Sequence, residues 1–203
     1  MLASKGEETQ NISFLLCRYG EGPYVVRFTL DFPSGEREPN QFEVKIFNPR
    51  DMPHTVYTFL NMIDHGLYVD TAIDFKSDKI VGGGDPYTVT PSSLKSKVLK
   101  RFADIGLSYY RTLFFEKESS PNSPCRASRF SLNDRGPGFM IYLDDEIDNN
   151  LNNCFGVIQT GRDTLRRIAE SQASRENGQL TSKIPIVATY IATDGFSGNN
   201  EEL

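Results

Sequence analysis

Three groups of residues in this chain could carry chemistry, and each must meet the spacing that its chemistry needs. The run Asp144-Asp145-Glu146-Ile147-Asp148-Asn149-Asn150 concentrates oxygen donors suited to a hard cation. Counted from Asp144 as the start of a calcium loop, Asn149 falls where a glycine must make the sharp turn. Phe155 falls where a bidentate glutamate is required, so the run reads as a solvated acidic loop. Gly82-Gly83-Gly84-Asp85 offers backbone N–H groups, but no Lys-Ser or Lys-Thr follows, which excludes a phosphate loop. His54 and His65 stand at opposite ends of one predicted helix, and neither sits in a nucleophile motif. They read as surface or capping groups. Cys17, Cys125 and Cys154 are an odd number at wide spacing, which fits neither a disulfide framework nor a zinc site. The expectation is buried free thiols. No metal or cofactor is implied.

The remaining composition narrows the class. A chain of 203 residues with 38 % hydrophobic and 24 % charged residues has enough apolar surface for one domain with its own core. The net charge of −5 and the lack of a basic patch argue against nucleic acid. Arg166-Arg167 and the stretch from Lys95 to Arg101 are short and diluted, and read as solvated surface. No apolar run approaches the ~20 residues that cross a bilayer, so direct insertion by this segment is not expected. The first residues have neither a basic nor an apolar region of a signal peptide. Asn11-Ile12-Ser13 is a glycosylation sequon that matters only in a secretory lumen.

Hydrophobic periodicity sets out the elements that would position a site. Residues 1–22 read as a polar, loose segment with room for a first strand. Val26, Phe28, Leu30 and Phe32 alternate with polar residues, and Phe42, Val44 and Ile46 do so again after a short turn. This pattern predicts two antiparallel strands. Val56, Phe59, Leu60 and Ile63 then recur at helical spacing, with Pro53 at the start and Gly66 at the stop. Short strands are predicted within 79–86, where glycines end the strand, around Phe130 and Leu132, at 139–141, at 154–160 and at 184–192. A second helix packs Leu165 and Ile168. Residues 87–135 read largely as long irregular loops, and 194–203 as a polar tail. Two helices among about eight strands, without βαβ alternation, predict a mainly β fold, a barrel capped by helices.

Several phrases in that order resemble the cyclophilin family. FEVKIF followed by MPHTVYTFLNMIDHGLY resembles the family's opening strand and first helix. IVGGGDP resembles its Q-G-G-D strand end, and GPGFMI its S-Q-F-F-I strand. CFGVIQTGRDTLRRI and IPIVATYIA resemble its last helix with the flanking strands. The resemblance covers residues 24–192 and is closest in flavour to divergent domains tethered to membranes and facing a lumen. It implies a closed eight-stranded cyclophilin-like β-barrel capped by two α-helices, spanning 23–193. The implied activity is peptidyl-prolyl cis/trans isomerisation without metal or cofactor. An arginine donates to the prolyl nitrogen as amide resonance is lost, while an apolar pocket holds the proline ring.

The chemical positions of that family do not carry over. Aligned from the helix, the arginine position holds Phe75; aligned from the glycines, it holds Asp74. Only a strained register offers Lys76, which lacks the planar guanidinium fork. The two family glutamines fall at Gly82 and Gly138, a pocket phenylalanine at Met140, and the histidine near Asn152. The pocket tryptophan has no counterpart, since the chain contains no Trp. Candidate groove positions are therefore Phe75, Ile80, Gly82, Met140 and Asn152, with no catalytic residue among them. The expectation is a catalytically impaired module that binds an extended or proline-containing peptide or a protein partner, or serves as a structural part. The rival is an isomerase of low efficiency.

Overall fold

The computed structural model describes residues 5–33, 40–47, 49–104, 125–133, 137–145 and 154–193. Eight strands close into a barrel: β1 (Tyr24–Leu30), β2 (Gln41–Ile46), β3 (Ala72–Lys76), β4 (Ile80–Gly83), β5 (Arg129–Leu132), β6 (Phe139–Tyr142), β7 (Gly156–Thr160) and β8 (Gln179–Thr193). Around the barrel they run β1-β2-β7-β5-β6-β4-β3-β8, each pair antiparallel. Closure leaves no unpaired edge. The alternation read from the sequence is the mechanism. Val26, Phe28 and Leu30 point inward from β1, and Phe42, Val44 and Ile46 from β2. Their polar neighbours remain outside, where Arg27 bonds Glu43 at 2.5 and 2.8 Å.

Phenylalanines fill the interior. Phe28 stacks on Phe42 with centroids 4.8 Å apart, and Phe59, Phe130, Phe139 and Phe155 meet at 5.2–5.6 Å. Such pairs add to stability beyond the area they bury. Phe59 comes from α2 (Pro53–Asp64), which closes one end of the barrel with Val56, Leu60 and Ile63. Gly66 ends it at φ +61, the left-handed conformation that glycine adopts without penalty. His65 caps the same end, with Nδ1 2.8 Å from the Asn61 carbonyl oxygen. The expected second helix is Arg162–Glu170; it buries Leu165 and Ile168 and packs on β2.

Three expectations are corrected. The N-terminal segment is not a loose stretch or a strand but helix α1 (Lys5–Tyr19). Leu15 is buried, Tyr19 meets Tyr57 of α2 edge-on at 6.2 Å, and Arg18 pairs with Asp64 at 2.7 Å. Part of the stretch read as irregular loop is helix α3 (Ser92–Asp104), anchored by Val98 and Phe102. The helix Arg162–Glu170 is thus α4, and the described residues hold two helices beyond the pair expected. Finally, the cysteines are not all free. Cys125 and Cys154 form a disulfide, while Cys17 is exposed rather than buried. The two cysteines stand with Cα atoms 5.2 Å apart and cluster with Tyr142.

Candidate functional site

The outer face of β3, β4, β6 and β5 holds the predicted groove positions. Val81, Phe139 and Ile141 point into the core, so Ile80, Gly82, Met140 and Tyr142 point outward. Cross-strand pairing then sets Phe75, Gly82, Met140 and Ser131 in one row. Ile80 lies further along β4, opposite Tyr142. Four of the five candidates therefore share one surface. Asn152 and the acidic run from Glu146 lie outside the described residues. Among the described residues no group of three or more acidic, histidine or cysteine side chains could hold a metal.

Phe75 packs against the bare backbone of Gly82. A Cβ added to Gly82 would stand 3.4 Å from Phe75 Cδ1. On the other side of the ring a Cβ at Gly178 would approach Phe75 Cε2 to 2.6 Å, and Gly178 also holds φ +70. The ring is thus clasped between two glycines. The backbone supports the clasp, because the Lys76 amide donates to the Gly178 carbonyl at 2.8 Å. The Lys76 ammonium is directed to the Ala169 carbonyl at the end of α4, where a cation meets the negative pole of the helix.

Asp74, the other residue that falls at the arginine position, is 4 % exposed. It sits where the ladders of β3 to β4 and β8 both shift register. Asp74 Oδ2 has no hydrogen-bond partner. Burial pushes its carboxyl above the usual aspartate range, and the Asp85 charge adds to this. A hydrogen bond from Thr88 and the charge of Lys183 pull the other way without prevailing. Thr88 belongs to the turn of 3₁₀ helix Pro86–Thr88, which Asp85 caps by accepting from the Tyr87 amide at 2.8 Å. Gly138 lies against that cap, since a Cβ there would stand 3.5 Å from the Asp85 Cβ.

The far side of the row carries a feature the sequence reading missed. Cys125, Tyr142 and Cys154 form a small apolar cluster, with Ile80 and Met140 half-buried against it. Tyr142 and Ser131, although on the outer face, are fully buried. Their one visible signal was the cysteine pair placed just before two predicted strands, and spacing alone could not distinguish that pair from free thiols.

No family model matches the chain, and no curated protein matches it. Solved structures do. A cyclophilin-type peptidyl-prolyl cis-trans isomerase of Cryptosporidium parvum, crystallised in the presence of the dipeptide Ala-Pro, superposes with a TM-score of 0.60 at 19 % identity. The match covers 84 % of this chain and 99 % of that one. A second structure of a C. parvum cyclophilin-type isomerase gives 0.59 at 19 % identity, over 84 % and 98 % of the two chains. Strand order, the two barrel-end helices and these superpositions agree: the chain is a cyclophilin-like domain, an eight-stranded barrel of the cyclophilin-type fold.

Proposed function

We propose that this chain is a cyclophilin-like module that does not accelerate proline isomerisation and acts as a protein-binding or structural part. One observation carries this reading. Of the two residues that fall at the arginine position, Asp74 is a carboxyl sealed from solvent beneath Thr88 and Phe75 is a ring clasped between Gly82 and Gly178. Neither presents a donor at the surface to a prolyl nitrogen as its resonance is lost. Lys76, the nearest other donor in sequence, spends its ammonium on the Ala169 carbonyl. The rate effect of the fold depends on a donor preorganised at that point, so a barrel without one keeps the scaffold and loses the chemistry.

A second observation favours a peptide-binding version of this reading. Ile80 and Met140 remain half-buried beside the Cys125–Cys154 cluster, an adaptable apolar surface next to the clasped ring. The C. parvum neighbour crystallised with Ala-Pro makes a proline-containing peptide the first ligand to try. The disulfide itself supports residence in an oxidising compartment, in keeping with a lumenal domain.

Exchange spectroscopy on a short X–Pro peptide, with an active cyclophilin as control, tests the proposal. The expected result is cis/trans exchange at the uncatalysed rate of tens to hundreds of seconds. Clear acceleration overturns it in favour of a low-efficiency isomerase. Shifted peptide resonances without acceleration select the binding version. Neither effect selects the structural one.

A further inference from the structure

The segment from Asp85 to Pro91 leaves β4, crosses the seam between β3 and β8, and delivers the chain to α3. Pro86 and Val89 anchor it from below, while Tyr87 is exposed. Two lysines grip it from opposite sides. Lys183 of β8 donates to the Thr88 carbonyl, and Lys95 of α3 donates to the Tyr87 carbonyl at 2.6 Å. Under Thr88 lies Asp74, sealed from solvent with one carboxylate oxygen unpartnered. A buried, half-satisfied carboxylate is costly when ionised, and lifting the segment that seats Thr88 against it would admit water.

We propose that residues 85–91 form a pH-sensitive latch over the outer face of the barrel, loosened as Asp74 loses its proton. The groups that face Asp74 are Thr88 and Asp85 of the latch and Lys183 of β8. Lys183 favours the ionised carboxylate and holds the latch shut, whereas Asp85 and burial oppose ionisation. Burial dominates, so Asp74 releases its proton at lower pH with the latch open than with it closed. Between those two pH values opening releases a proton, and the open population rises with pH. Above the closed-state value both forms are ionised and the effect levels off.

Amide hydrogen exchange of the full chain, corrected for the intrinsic pH dependence of exchange, reads the latch directly. The Thr88 amide reports it, because it donates to the Asp85 carbonyl within the segment. Its protection is expected to fall from about pH 4 upward, by at most about tenfold per pH unit, and then to plateau. Phe28 in the core of β1 is the control and should not follow. Asp74→Asn should abolish the fall. Lys183→Met, which removes the facing cation, should extend it to higher pH. The proposal is overturned by flat Thr88 protection in the wild type, by an equal fall in Asp74→Asn, or by an equal fall at Phe28. Should Asp74→Asn not fold, a Lys183→Met profile identical in range to the wild type overturns it instead.

Discussion

Asp74 and Phe75 are sequence neighbours with opposite energetic signs. The carboxyl of Asp74 titrates higher in the folded chain than in the unfolded one. Any stability tied to that proton is therefore fully present below the unfolded value near 3.9 and lost as pH rises through the folded one. Asp74→Asn should raise stability at pH 7, by an amount on the order of 1 kcal/mol, and change little at pH 3. Urea unfolding at the two pH values measures this, and equal differences at both would refute it. Phe75 is stabilising because its ring packs at opposite edges against the backbone of Gly82 and of Gly178. Phe75→Ala should cost about 1–3 kcal/mol, since the half-buried ring leaves a gap between Gly82 and Gly178. Gly178→Ala should cost at least as much. It combines a left-handed backbone with a Cβ 2.6 Å from both the Lys76 carbonyl oxygen and the Phe75 ring. A Gly178→Ala protein as stable as the wild type would show that the ring is not clasped.

At the scale of elements, what is legible in the sequence is what local pattern alone determines. The barrel was legible because period-two alternation at Val26, Phe28 and Leu30 and at Phe42, Val44 and Ile46 admits one face for the core. Helix α2 was legible because its stripe came with a start signal in Pro53 and a stop in Gly66. Helices α1 and α3 carry stripes too: Ile12, Leu15, Leu16 and Tyr19 in one, Leu94, Val98 and Phe102 in the other. Polar surroundings, rich in Ser and Lys around α3, obscured them, and helices of this length are marginal in water without a surface to pack on. Of the site, the residues that fill the outer face could be named, but not the ring's second contact at Gly178 or the cover over Tyr142. Both depend on loops brought in from distant sequence. For α1 the docking energy should lie in the apolar stripe. Leu15→Ala should cost about 2–4 kcal/mol, whereas Arg18→Ala, which breaks an exposed pair with Asp64, should cost under about 1 kcal/mol. Chemical denaturation of the two variants decides between packing and charge as the force that holds α1.

Across the whole molecule, the disulfide adds a covalent tie between the segments that precede β5 and β7, two strands the barrel already pairs. Cys125 and Cys154 are 29 residues apart, and the loop they close contains β5, β6 and the acidic run. Restricting a loop of that length in the unfolded chain stabilises the fold by about 3–4 kcal/mol. Because Cys125 and Cys154 are almost wholly buried, a reducing agent reaches them only after local opening. Cys17, by contrast, is exposed on α1. Thiol labelling of the oxidised protein should therefore modify one cysteine in the native state and still only one in denaturant. Prior reduction in denaturant should raise the count to three, with a midpoint of unfolding lowered to match the lost loop constraint. Labelling of three cysteines in denaturant without reduction would mean that the pair is not formed. The outer face beside Met140 would then lack its cover, and the case for an oxidising compartment would fall with it.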